Sequence, residues 1–312
     1  SNPTYQLVTP NRKYVLRRKP PGKLLPSAHA VDREYRIIAA LHPTGFPVAK
    51  PYLLCEDESV IGTAFYVMDC VEGRILWEPA LPGMTPKERA AIYDAENETL
   101  ARLHMLDYEK LGLAGFGKPG NYIERQISRW TKQYVASETE SIAEMNKLME
   151  WLPAHVPPGE RSSIVHGDYR LDNMILHPTE PKVLAVLDWE LSTVGDPLAD
   201  FTYHLMQWRM PPGGTGGGTG SLVGVDLKAL GIPTEEEYVA MYCRRTHRDS
   251  VPNVDYYAAY NFFRLAGILQ GIVGRVRDGT AANANAAQMA AAVRPLAELA
   301  WKFAKRAGAR EI

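Results

Sequence analysis

An aspartate at 168, an asparagine at 173 and an aspartate at 188 are the residues of this chain whose types and spacing can do chemistry. Asp168 and Asn173 lie in the segment 164–176, Ile-Val-His-Gly-Asp-Tyr-Arg-Leu-Asp-Asn-Met-Ile-Leu. Asp188 follows the apolar run 183–187. A carboxylate, an amide and a second carboxylate so placed suit phosphoryl transfer. That reaction asks the protein to orient an attacking hydroxyl and to hold magnesium on the phosphates, with little covalent chemistry besides. Magnesium takes hard oxygens, commonly one or two carboxylates plus phosphate and water. Asp168 is therefore the candidate acceptor of the hydroxyl proton, and Asn173 and Asp188 are the candidate metal ligands. A lone aspartate in a turn more often caps a helix or folds an Asx-turn; the three spacings together outweigh that reading.

Two textures of chain must position these residues. Residues 4–9 and 13–17 read as strands, and Pro10-Asn11 between them is turn material, so a hairpin is expected. A basic, proline-broken loop covers 18–26. Residues 30–41 form a helix with Val31, Tyr35, Ile38 and Leu41 on one face. Two further extended runs, 51–56 and 63–70, complete a small sheet carrying one helix. From Gly73 onward the pattern is helical. Thr85-Pro86-Lys87-Glu88 is a capping box with proline at the first helical position, opening a helix to about Leu106. Helices follow at 122–136 and 141–152. The segment 163–187 breaks the habit with two short apolar runs. Long helices resume near Asp200, Thr234, Val254 and Ala281. The division falls between an N-terminal part, 1–70, and a helical part, 71–312. The glycine-rich stretch 211–220 reads as a surface loop. With no Gly-Lys-Ser or Gly-Lys-Thr end and no strand before it, it is a poor phosphate loop.

Composition bounds the class. The chain is 46% hydrophobic and 23% charged, as ordinary globular proteins are, with a formal net charge of −1. No global basic field invites nucleic acid. Cys55, Cys70 and Cys243 form no CxxC pair, which predicts free thiols in a reducing, cytoplasmic setting. The polar N-terminus with Pro3 is unlike a signal peptide. No apolar stretch approaches the ~20 residues of a spanning helix, so neither nucleic acid nor membrane is an expected partner. A small hydroxylated molecule is.

The segment His166-Gly-Asp-Tyr-Arg-Leu-Asp-Asn173, the downstream Leu187-Asp-Trp-Glu190 and Gly195-Asp196-Pro197 with Asp200 resemble the aminoglycoside phosphotransferase and choline kinase superfamily. Protein kinases show the same Asp-to-Asn spacing with a metal aspartate downstream. The resemblance extends through Tyr14-Val-Leu-Arg17, Glu34 and the segment from Tyr66 to Gly73. It implies an α+β, two-lobed, protein-kinase-like fold with a small antiparallel-sheet N-lobe and a mainly helical C-lobe. It further implies ATP or GTP with Mg2+. Arg17, where many members carry lysine, would meet the α- and β-phosphates, paired with Glu34. Met68, Asp69, Cys70 and Val71 would connect the lobes and bind the base through the main chain. His166 and Asp196 would brace the catalytic loop, and Asp200 would fix a helix start; Asp172 is left without a role.

The opening Ser1-Asn2-Pro3-Thr4-Tyr5, with Leu16 to Gly22, resembles the branch fused to, or encoded beside, acyl-CoA dehydrogenases. By this resemblance Ser1 and Asn2 would stand at the far end of the glycine turn over the phosphates, and the first strand and that turn of the usual fold are not found in residues 1–312. The branch implies an acyl-CoA dehydrogenase partner or fusion in related proteins, and a hydroxyacyl acceptor, free or as its CoA thioester. Two other readings stay open: a catalytically silent nucleotide-binding module and an aminoglycoside-type antibiotic kinase. A metal-dependent hydrolase is disfavoured because His166 and His177 form no zinc pattern.

Overall fold

A computed structural model describes residues 2–20, 30–159, 161–212, 220–279 and 285–310. The first hairpin joins β1 (Thr4–Val8) to β2 (Lys13–Arg18) in antiparallel register, Thr4 opposite Arg17. Its turn closes where Thr9 donates its backbone N–H and its hydroxyl to the Arg12 carbonyl. Helix α1 (Val31–Leu41) follows, then β3 (Pro51–Cys55) and β4 (Phe65–Asp69), giving the sheet order β1-β2-β4-β3. Side chains alternate along a strand, so Val15 and Arg17 of β2 share a face with Tyr66 and Met68 of β4, and all four line one pocket. Helix α1 buries Val31, Glu34, Ile37, Ile38 and Leu41. Glu34 alone of that set is charged, which already marks it as paired.

After β4 the chain turns helical. Gly73 passes so close to the main chain that a Cβ would stand 2.2 Å from the Leu176 carbonyl oxygen, and only glycine fits. Arg74 exchanges both backbone hydrogen bonds with Leu176. Helix α2 (Pro86–Met105) starts on the expected capping box, Thr85 with Glu88. Helices α3 (Tyr122–Ser137) and α4 (Ala143–Ala154) come next. The irregular segment resolves into β5 (Ser163–Val165), β6 (Met174–Leu176), β7 (Val183–Val186) and β8 (Thr193–Gly195), paired β5 with β8 and β6 with β7. Helices α5 (Pro197–His204), α6 (Leu227–Leu230), α7 (Glu235–Thr246), α8 (Val254–Arg277) and α9 (Ala286–Arg306) complete the chain. Helix α8 is the centrepiece, buried from Tyr256 to Ala266 without a break and packed on α3, α5 and α9.

One local expectation is revised. The helix near Asp200 is only eight residues long and begins at Pro197. Strand β8 has three residues, too few to leave an alternation in sequence. The last helix is described from Ala286; residues 281–284, on which its expected start falls, lie outside the described residues, as do Ser1, 21–29 of the basic loop and 213–219 of the glycine-rich stretch. No helix among the described residues is long and apolar enough to cross a membrane.

Candidate active site

Strand β5 delivers the chain into a loop gripped from beneath by α5. The Asp200 carboxylate accepts the backbone N–H of His166 on Oδ2 at 2.7 Å and that of Gly167 on Oδ1 at 2.8 Å. His104 of α2 reaches the same Oδ2 at 3.1 Å. Burial alone would raise the Asp200 pKa, but the hydrogen bond and charge of His104, with the N–H of His166, outweigh it and hold the carboxyl below its ordinary value. Gly167 has φ +87°, and a Cβ there would sit 2.8 Å from the Leu191 carbonyl oxygen. The tight turn therefore requires glycine.

His166 is fully buried and links the two halves of the site. Its Nδ1 accepts the backbone N–H of Asp168 at 3.1 Å, and its Nε2 lies 2.7 Å from the Leu187 carbonyl oxygen. With Nδ1 accepting, Nε2 carries the hydrogen and donates. One imidazole thus ties the loop of Asp168 to the loop of Asp188.

The Asp168 carboxylate is partly exposed and held at both oxygens. Oδ1 accepts the Tyr203 hydroxyl at 2.6 Å, and Oδ2 accepts the Asn173 side-chain amide at 3.1 Å. The same amide donates to the Asp168 carbonyl at 2.9 Å. Because Nδ2 is committed there, the group Asn173 can offer a cation is Oδ1. Its own carbonyl accepts the N–H of Leu187 at 2.8 Å, which places it across from Asp188.

Asp188 follows β7 with φ 61° and ψ 63°, a left-handed conformation that aspartate tolerates better than most residues but still at a cost on the order of 1–3 kcal/mol. Its Oδ1 is buried and has no hydrogen-bond partner among the described residues. Arg17 Nη2 approaches it at 3.7 Å. A buried carboxylate oxygen left short of donors is costly unless something charged completes it. With the amide oxygen of Asn173 it makes the hard-oxygen donor set that magnesium takes, so the residues fit that ion.

Arg17 and Glu34 pair as expected, Nε to Oε2 at 3.0 Å. Glu34 is 1% exposed and also accepts the Tyr66 hydroxyl at 2.9 Å and the Asn2 side-chain amide at 2.5 Å. Burial opposes the Arg17 charge, yet Glu34, Tyr66 and Asp188 hold its pKa above the ordinary value. The pocket beside this pair has a volume of about 320 Å³. Its walls include Val15, Ala49, Met68, Ile175 and Val186, with Arg17, Asn173 and Asp188 supplying the polar groups. Asp69, Cys70 and Val71 also line it. The Asp69 carboxylate is spent on Arg12 at 2.7 Å and Tyr52 at 2.8 Å, and Gln6 Nε2 approaches Cys70 Sγ at 3.3 Å. The geometry therefore brings Arg17, Glu34, Asn2, Asn173, Asp188 and the 68–71 segment together, with Asp168 tied to them through Asn173 and His166.

Asp196 and Asp200 exchange the supports expected of them. Asp196 is the N-cap of α5, accepting the N–H of Leu198 at 2.8 Å and the Tyr257 hydroxyl at 2.6 Å. Asp200, one turn into the helix, braces the loop. The physical reason is reach: the Asp200 carboxylate meets the N–H groups of His166 and Gly167, whereas that of Asp196 is engaged by Leu198 and Tyr257. The sequence reading missed Tyr203, Arg264 and His104, which are single residues on separate helices with no local pattern. Arg264, buried in α8, donates to the Gly167 carbonyl at 2.6 Å. Arg170 pairs with Asp172 at 2.7 Å and stands 3.5 Å from Asp168 Oδ1, so Asp172 is half of an ion pair beside the site. A second, smaller pocket on this side is lined by Trp77, Tyr169, Arg170, Asp172, Tyr203 and Gln207 among others.

Residues 1–263 match the model of the phosphotransferase enzyme family, APH. Acyl-CoA dehydrogenase family member 10 of Mus musculus is 49% identical over 99% of this chain, which covers 29% of that protein. The chain thus spans under a third of that relative's length. A crystal structure of a candidate aminoglycoside phosphotransferase from Ralstonia eutropha JMP134 is 54% identical, with a TM-score of 0.90 over 98% of this chain and 90% of that one. The GDP complex of aminoglycoside 2′-phosphotransferase-IIIa is 13% identical, with a TM-score of 0.59 over 96% of this chain and 89% of the other; that likeness establishes the two-lobed kinase-like fold. By its sequence and its architecture the chain belongs to the phosphotransferase enzyme family.

Proposed function

We propose that this chain moves the γ-phosphoryl group of ATP or GTP onto a hydroxyl of a small molecule. The observation that carries the reading is the convergence of Asp168, Asn173 and Asp188 through one buried histidine, beside a pocket with apolar walls and an arginine. In this reading Asp168 orients the acceptor hydroxyl and takes its proton as the new O–P bond forms and the nucleoside diphosphate departs. Asn173 and Asp188 would hold magnesium, which when bound neutralises phosphate charge. Arg17, fixed by Glu34, meets the phosphates nearer the sugar, and the main chain of 68–71 meets the base. The GDP complex of the aminoglycoside enzyme supports a nucleotide in this cleft.

For the acceptor, the relationship to an acyl-CoA dehydrogenase family member supports a hydroxyacyl compound or its CoA thioester, with an acyl-CoA dehydrogenase as partner or fused neighbour in related proteins. The free thiols Cys55, Cys70 and Cys243 suit a cytoplasmic setting. The test has two arms. Magnesium-ATP should raise the melting temperature by mass action, and Asp188→Ala should lose the magnesium-dependent part of that shift. A screen of hydroxyl compounds for ATP consumption identifies the acceptor. A shift in Asp188→Ala that still depends on magnesium as in the wild type would remove Asp188 from the metal site.

A further inference from the structure

We infer that Tyr203 is a positioning residue for phosphoryl transfer, acting by fixing the orientation of Asp168; the inference rests on the reading of Asp168 given above. Helix α5 addresses the loop twice. Asp200 holds the loop backbone, and Tyr203, three residues on and therefore on the same helix face, donates its hydroxyl to Asp168 Oδ1 at 2.6 Å. The terminal torsion of an aspartate is broad and twofold. One hydrogen bond leaves the carboxylate free to swing about the contact, whereas two, made to different oxygens, fix its plane. Asn173 supplies the second at Oδ2. The plane decides which lone pair meets the acceptor hydroxyl, and a misplacement of about 1 Å in such a group can cost roughly 100-fold in rate.

Tyr203 is itself over-determined. Its ring lies 5.0 Å from the guanidinium of Arg264, which is buried in α8 and donates to the Gly167 carbonyl, so Arg264 holds both the loop and the residue that aims its base. Burial and the adjacent Asp168 carboxylate push the Tyr203 pKa well up, so its hydroxyl stays a donor across the working range. Tyr203 also lines the smaller pocket beside Arg170.

Tyr203→Phe removes one oxygen and keeps the ring against Arg264, so the fold survives. The probe is magnesium-ATP with water as acceptor, read as phosphate release. Tyr203→Phe should lower kcat about 10- to 100-fold, leave KM for ATP within twofold and leave the melting temperature near the wild-type value. In an Asp168→Asn background, followed by radiolabelled phosphate release, adding Tyr203→Phe should change nothing further, because residues that act as a unit are not additive. A wild-type kcat in Tyr203→Phe overturns the inference. So does an equal fold-loss in both backgrounds, which would mean that Tyr203 acts otherwise than through Asp168. Wild-type release that survives Asp168→Asn undiminished instead removes the reading of Asp168.

Discussion

Asn173 donates its side-chain amide to Asp168 Oδ2 at 3.1 Å, so the proposed base and one proposed metal ligand are hydrogen-bonded to each other. Asn173→Ala cuts this bond, the bond to the Asp168 carbonyl and the amide oxygen together. Nucleotide affinity in the presence of magnesium should fall about ten- to hundredfold, in line with the roughly 1.5–3 kcal/mol of a hydrogen bond to a charged group, and turnover should fall with it. Affinity without magnesium should move little. Calorimetric titration of ATP with and without the ion, beside phosphate release, reads all three quantities. A loss equal with and without magnesium would place Asn173 on the nucleotide rather than on the metal.

Much of this arrangement was legible in sequence because it is local. The hairpin, α1, the capping box of α2 and the segment from His166 to Asn173 each fit within a short window where turn residues and periodicity speak directly. The pairing of Arg17 with Glu34 crosses two elements, and it was reached by resemblance rather than by pattern. What stayed hidden depends on tertiary approach. Asp196 and Asp200 are both short acids near one helix start, and only the packing of α5 beneath β5 makes Asp200 the brace and Asp196 the cap. Tyr203 and Arg264 lie 35 and 96 residues after Asp168, on helices whose faces no single-sequence period assigns. Glu96 is a further case, since a carboxylate amid an amphipathic helix reads as solvent-facing.

Glu96 in α2 is 1% exposed, with Oε1 lacking a hydrogen-bond partner among the described residues. Burial pushes its pKa up to about 8. In the unfolded chain a glutamate ionises near 4.3. Between those values the folded protein keeps the proton and the unfolded chain has lost it. Unfolding therefore releases a proton, and this contribution to stability falls as pH rises, at up to about 1.4 kcal/mol per pH unit. Glu96→Gln keeps the shape without the titration. Its stability relative to wild type should be flat well below pH 4, stand about 1 kcal/mol above that level at pH 5 and climb further toward pH 8. His204, held neutral by burial with its pKa pushed down to about 4, adds a slope of its own below its unfolded value, but it is common to both proteins and cancels in the difference. Urea unfolding of the pair at pH 5, 6, 7 and 8 checks this. A difference that does not change with pH would mean that Glu96 is ionised in the folded state.

Asp168→Asn separates chemistry from binding. The substitution keeps the size of the side chain and removes its charge and nearly all its basicity. One of the two present contacts of the carboxylate survives: the amide oxygen can still accept from Tyr203 or from Asn173, whereas its NH2 end accepts from neither. The pocket beside Arg17 and Asp188 is lined by neither oxygen of Asp168, so ATP affinity should stay within about threefold, well inside the 1.4 kcal/mol that a tenfold change represents. Transfer should drop about 10²–10⁴-fold, the range that general-base assistance supplies. The measurement is phosphate transfer to an accepted hydroxyl compound, run beside ATP titration on the same preparation. If the variant binds ATP and transfers phosphate at the wild-type rate, Asp168 does not take the proton. Loss of ATP binding in the same proportion as transfer would instead assign Asp168 to the nucleotide site, because a group acting only on the hydroxyl proton leaves the bound nucleotide's own contacts intact.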